Sequence, residues 1–180
     1  MMREHGNWRR LALRAMCAAL VSSALAEPSS LYANRWLWTE DSGAKVSLSQ
    51  WQGDTVFLTM AYSSCRNTCT LVMHELSLIQ QRLDSLGRSA QFVIVSYDPR
   101  NDTPAVWTAY RKQRHLQRPN WHFLTGDVDS TRQLAATVGL SGYWEADRHI
   151  VHDFRIVILA ADGRIARTLE WGDLPPKDIP

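Results

Sequence analysis

Two of the three cysteines of this chain stand four residues apart, in Ser63-Ser64-Cys65-Arg66-Asn67-Thr68-Cys69. Thiols at i and i+4 of a helix share one face, a turn apart. At a helix N-terminus, free N–H groups and the helix dipole favour the thiolate form. Such a pair can exchange disulfides or grip a soft metal ion. It can also form a permanent staple, but a loop this short would remove little chain entropy.

Two thiolates rarely complete a metal site, so a third ligand has to come from elsewhere. His74 stands five residues beyond Cys69, about 140° round a helix, and points away from the pair. His115 and His122 lie beside polar segments and read as solvated. His149 and His152 flank Ile150-Val151; an offset of three puts them on opposite faces of a strand, so at most one faces the thiols. His152 opens the alternation that continues through Phe154, Ile156 and Ile158. That pattern fits an inward-pointing ligand or a satisfied buried histidine.

The elements around these residues are legible. Val56–Tyr62 is an apolar strand leading into the cysteine loop, and Leu71 to Leu86 is an amphipathic helix leading out. Val72, Leu76, Ile79, Leu83 and Leu86 form its buried stripe, and Gly87 stops it. Extended backwards, the stripe takes in Cys69 and Cys65 and aims both at the sheet. Gln91–Tyr97 is nearly all apolar and predicts a central strand. Thr103 and Pro104 start a helix that runs to about His115, Trp121–Thr125 is a further strand, and Asp129 or Ser130 caps a helix to Val138. Ile150 to Ala160 reads as one long strand, paired through an Asp162-Gly163 turn with Ile165–Trp171. Arg35–Trp38 and Lys45–Leu48 predict an extra N-terminal hairpin. The whole predicts an α/β domain with a mixed sheet flanked by helices. A cysteine pair at its strand-to-helix junction is the thioredoxin-like arrangement.

Residues 1–26 read as a signal peptide. Arg3, Arg9, Arg10 and Arg14 precede the uncharged run Ala15–Ala26, which ends Ala24-Leu25-Ala26. At 12 residues the run is short of the ~20 that span a bilayer; an uncleaved anchor is the alternative. Cleavage removes Cys17 and leaves residues 27–180 as a single domain with Cys65 and Cys69 alone. The chain has 20 basic and 18 acidic residues. The leader holds four of the arginines and one acid, so the remainder carries 16 against 17, a net charge of −1. Nothing there suits nucleic acid or an anionic membrane.

The motifs resemble those of the Sco/SenC family of copper-binding, thioredoxin-fold assembly proteins. Tyr62-Ser63-Ser64-Cys65 through Cys69 is similar to the family's Cys-x-x-x-Cys loop. Ser96-Tyr97-Asp98-Pro99-Arg100-Asn101-Asp102-Thr103-Pro104 is similar to its Ser-x-Asp-Pro-x-x-Asp-Thr-Pro segment, and Trp121–Gly126 to its Trp-x-x-Leu-Thr-Gly. His152, ahead of a strand and Asp162-Gly163-Arg164, matches the family's histidine ligand. The resemblance implies copper, as Cu(I) or Cu(II), held by Cys65, Cys69 and His152 with Asp98 close by. It also implies help in maturing the copper centre of cytochrome c oxidase, by copper delivery or by thiol reduction, with a copper-receiving oxidase subunit or other copper protein as partner. The loop departs from the family's usual residues: Arg66 and Thr70 replace prolines, and Asn67 replaces an acid. Arg66 adds positive charge, which should lower the thiol pKa. Asp153, where serine is common, should face away from His152.

Two functions therefore stand side by side: an exported, monomeric copper chaperone that is not an enzyme, and a thiol:disulfide oxidoreductase using Cys65 and Cys69 without copper. Only the first needs His152.

Overall fold

Segments 56–61 and 91–96 have no polar face to give to water, so they must be covered on both sides. In the computed structural model, which describes residues 29–65, 68–140, 142–144 and 150–173, they form the centre of the sheet. The chain runs β1 (Trp38–Glu40), β2 (Lys45–Val46), β3 (Val56–Ala61), α1 (Thr68–Ser85), β4 (Gln91–Ser96), α2 (Pro104–Gln113) and β5 (Trp121–Thr125). It continues through α3 (Val128–Thr137), β6 (Gly142–Trp144), β7 (Ile150–His152), β8 (Ile156–Leu159) and β9 (Ile165–Leu169). The seven-stranded sheet is ordered β2-β1-β5-β4-β3-β8-β9, and β6 and β7 form a separate ribbon. Strands β3, β4 and β5 are parallel, while β1, β2, β8 and β9 pair antiparallel at the flanks. This is the mixed α/β sheet expected, with β1 and β2 as the added N-terminal hairpin.

Parallel neighbours need crossovers, and α1 and α2 supply them. Both lie on one face of the sheet. Trp121 and Phe123 point to the same side of β5. The Trp121 indole donates to Gln80 of α1, and the Phe123 ring meets Trp107 and Tyr110 of α2. On that face Phe57, Phe92 and Trp121 are register partners whose rings stack 5.2 and 5.0 Å apart across three strands.

Several boundaries differ from the sequence reading. The segment from Ile150 to Ala160 is two strands, not one: β7 and β8 are separated by Asp153-Phe154-Arg155. The Thr59 hydroxyl of β3 donates to the Arg155 carbonyl at 2.7 Å, which gives the break a buried partner. Helix α3 is capped by Asp127, whose carboxylate accepts the Ser130 N–H at 2.8 Å, rather than by Asp129 or Ser130. Helix α1 starts at Thr68 and ends at Ser85, so Leu86 is exposed and the buried stripe ends at Leu83. The antiparallel partner of β8 stops at Leu169, and Trp171 lies in a short 3-10 turn. Thr103 does cap α2, accepting from the Val106 N–H with Pro104 following, as expected. The proposed signal, Cys17, Arg66, Asn67 and His149 lie outside the described residues.

Candidate metal centre

Strand β3 ends at Ala61, and the chain turns so that the Cys65 N–H donates to the Tyr62 carbonyl at 3.1 Å. Cys65 is therefore in the turn, not on the helix. Cys69 lies in the first turn of α1, and its N–H donates to the Cys65 sulfur at 3.4 Å. The shared helical face read from the spacing becomes a turn sulfur meeting the helix start. The two thiols are not joined in a disulfide.

The third member arrives from β7. His152 Nε2 lies 3.2 Å from Cys69 Sγ and 4.0 Å from Cys65 Sγ. All three donor atoms lie within 4.8 Å of one another. Cys65, Cys69 and His152 are 4%, 0% and 8% exposed, so the cluster is dry. The other ring nitrogen, Nδ1, is 3.0 Å from the carbonyl oxygen of Asp153. A carbonyl only accepts, so the proton belongs on Nδ1 and the Nε2 lone pair faces the sulfurs. Asp153 thus acts through its backbone, while its side chain is exposed.

Two tyrosines hold the imidazole. The Tyr97 ring lies 4.9 Å from it at a tilt, and Tyr62 meets it edge-on at 5.9 Å. Ala61 and Ser96 are register partners on β3 and β4, so Tyr62 and Tyr97 leave the sheet side by side. The Tyr62 hydroxyl donates to the Ile150 carbonyl at 3.2 Å, tying β7 down two residues before the histidine. Burial, reinforced by Cys65, pushes the Tyr62 phenol up to about 12. Burial likewise raises Tyr97, with Asp153 adding to it, and Tyr110.

The Cys69 thiol is raised well above its usual range, first by burial and then by Cys65. Burial thus opposes the lowering that a helix start favours at Cys69, while Arg66, to which the expected lowering was tied, lies outside the described residues. Two adjacent sulfurs in a dry site cannot both ionise without a cation between them. A bound metal ion supplies that charge and deprotonates coordinating thiols outright. The donor set also fits in size. Metal–sulfur and metal–nitrogen bonds of about 2.0–2.3 Å put ligand atoms about 3.5–3.8 Å apart. The separations seen here bracket that value. Two sulfurs and one imidazole are soft donors, suited to copper over magnesium or calcium.

Asp98 is buried; its backbone N–H donates to Ser96 Oγ at 2.8 Å and its carboxylate accepts from Asn101 at 2.7 Å. His74 is exposed, and so is His115, which adopts a positive φ of 57°. His122 is not solvated: it lies 2.6 Å from Glu40 and 3.0 Å from Gln91, with its ring 4.8 Å from that of Trp51. Thr70, where the family carries proline, is exposed and accepts from Arg114 at 3.3 Å.

Asp102, which stands in the Ser96–Pro104 segment, is bonded directly to the cysteine loop. Its Oδ1 accepts both the N–H (3.1 Å) and the O–H (2.5 Å) of Ser63, and its Oδ2 accepts the Ser96 O–H (2.5 Å). Burial raises its carboxyl above the usual range, against the opposing effect of those hydrogen bonds. The signal for it lay in the matched ends of β3 and β4, which bring Ser63 and Ser96 to one edge.

A sequence model of the SCO1/SenC family matches residues 26–179. A curated relative, the SCO1 protein homolog of Bacillus subtilis, is 20% identical over 155 residues, covering 84% of this chain and 80% of the relative. Among solved structures, a SCO1/SenC family lipoprotein from Bacillus anthracis superposes with a TM-score of 0.72 at 17% identity, over 82% of this chain and 89% of the other. Yeast Sco1 with copper bound superposes with a TM-score of 0.68 at 19% identity, over 80% of this chain and 81% of the other. The fold is therefore the thioredoxin-like fold of these structures.

Proposed function

The chain belongs to the SCO1/SenC family, and from that premise we propose that it is an exported copper-binding chaperone that assists assembly of the copper centre of cytochrome c oxidase or a related copper enzyme. The observation that carries this reading is the convergence of Cys65 Sγ, Cys69 Sγ and His152 Nε2 in one buried cluster. Copper bound to the yeast relative supports copper as the cargo. Thiolate and imidazole donors suit Cu(I), and imidazole also accommodates Cu(II). Loading releases the thiol protons, so uptake is favoured as pH rises. The proposed signal at residues 1–26 and the lipoprotein relative support a location outside the cytoplasm. The partner in this reading is an oxidase subunit or other copper protein that receives the metal, and the chaperone acts as a monomer.

The direct test is transfer. Reduced protein loaded with one equivalent of copper is mixed with a copper-free soluble oxidase domain, and the acceptor's copper spectrum is followed. Growth of that spectrum, matched by loss from the donor, is the expected result. A donor that binds no copper, yet reduces a disulfide in the acceptor, would favour the second reading.

That second reading is a thiol:disulfide oxidoreductase without copper. It draws on two neighbouring thiols not joined in a disulfide and on the hydrogen bond that holds the Cys65 sulfur over the Cys69 N–H. It does not use His152, and the tautomer imposed by the Asp153 carbonyl has no part in it.

A further inference from the structure

Each member of the three-residue cluster is fixed by a different device. Helix α1 carries Cys69. Strand β7, with Tyr62 and the Asp153 carbonyl, fixes His152. Cys65 belongs to neither element; it lies in the turn after β3. Among the described residues, Ser63 ties that turn to Asp102, through two hydrogen bonds to one carboxylate oxygen.

Asp102 is 1% exposed, and every polar atom it has is engaged. Its N–H donates to the Asp98 carbonyl at 2.9 Å. Its carbonyl accepts from the Thr125 hydroxyl, which in turn accepts the Trp107 indole N–H at 3.1 Å. Its second carboxylate oxygen takes the Ser96 hydroxyl, whose oxygen accepts the Asp98 N–H. The ends of β3, β4 and β5 and the start of α2 thus meet on one residue. Helix capping does not account for it, because Thr103 already caps α2. Burying a carboxylate is costly unless its oxygens are satisfied, and two of the three donors here come from the cysteine loop.

We propose that Asp102 is a positioning residue for the metal centre: by clasping Ser63 it holds the Cys65 sulfur within reach of His152. The inference rests on the copper-chaperone reading for its consequence, but its geometry can be tested without metal. Residues that orient metal ligands from behind typically alter affinity by roughly 10–100-fold when removed.

The experiment compares Asp102→Ala, Asp102→Asn and Ser63→Ala with wild type as full-length reduced protein. Competition against a copper chelator reads affinity, and X-ray absorption at the copper edge counts sulfur neighbours. Asp102→Ala is expected to bind copper roughly 10–100-fold more weakly and to lose one of two sulfur neighbours. Ser63→Ala, which keeps the backbone donor, should show a smaller loss in the same direction. Asp102→Asn keeps an acceptor for Ser63 and should recover most of the affinity. In copper-free protein carrying Cys69→Ser, Asp102→Ala should speed alkylation of Cys65 by iodoacetamide. Should Asp102→Ala fail to fold, Ser63→Ala and Asp102→Asn decide the matter. Wild-type affinity, two sulfurs and unchanged alkylation in the folded variants would overturn the inference. A wild type that binds no copper would overturn the chaperone reading instead, and the alkylation comparison would still decide whether Asp102 positions Cys65.

Discussion

The sulfur of Cys69 and Nε2 of His152 lie 3.2 Å apart, although 83 residues separate them in the chain. The contact exists because β8 lies beside β3 in the sheet while β7 breaks away from β8 just before it. His152 is thereby carried over the end of β3, where the cysteine turn begins. The geometry of the break is as important to the site as the ligands themselves.

Thr59 should therefore matter to both stability and metal binding. Its hydroxyl satisfies the Arg155 carbonyl within the break. Thr59→Val keeps the shape and removes the donor, leaving a carbonyl with one partner fewer. Urea denaturation should show a loss of about 1–3 kcal/mol, and copper affinity should fall with it. Unchanged stability would mean that the break is held by other contacts.

Trp38 closes tightly over Gly126. A Cβ added at Gly126 would overlap the Trp38 ring, which is fully buried and has little room to move. Gly126→Ala should cost about 1–3 kcal/mol by overpacking. The resulting change belongs to the junction of β1 with β5 and touches none of the three donor residues, so copper stoichiometry should remain that of wild type. Thermal unfolding and copper titration of the same sample check both halves.

The cap of α3 gives a pH-dependent test. Hydrogen bonds from the side chain and backbone of Ser130 lower the Asp127 carboxyl below its ordinary value. A group depressed on folding contributes stability above its unfolded pKa, and that contribution is lost as pH falls through the folded value. Asp127→Ala should cost about 1 kcal/mol near neutral pH. The difference from wild type should shrink as pH falls below about 4. Denaturant titrations at neutral and acidic pH measure it; a difference that grows on acidification would contradict the assignment.

The sequence carried the central strands and helices because each had a clear period or an unbroken apolar run. Val56–Tyr62, Gln91–Tyr97 and Trp121–Thr125 needed no tertiary information. The break at Asp153–Arg155 was hidden, since alternation continues through Phe154 into Ile156 and Ile158. The buried Thr59 hydroxyl on another strand marks it. The same limit applied to His122, whose polar neighbours in sequence suggested water but whose partners in space are Glu40 and Gln91. The bond of Asp102 to Ser63 was not legible, because Ser63 arrives from the end of a neighbouring parallel strand. Nor does spacing reveal burial, which raises the Cys69 thiol where a helix start alone would favour thiolate.

The account turns on His152 acting with the two sulfurs, and one measurement addresses that most directly. Reduced wild type and His152→Ala are titrated with copper without oxygen, following thiolate-to-copper absorption and competition with a chelator. The account predicts one copper per wild-type chain, and a His152→Ala variant that binds more weakly with a shifted absorption band. Identical affinity and an identical spectrum in the variant would remove His152 from the site and contradict the three-donor centre.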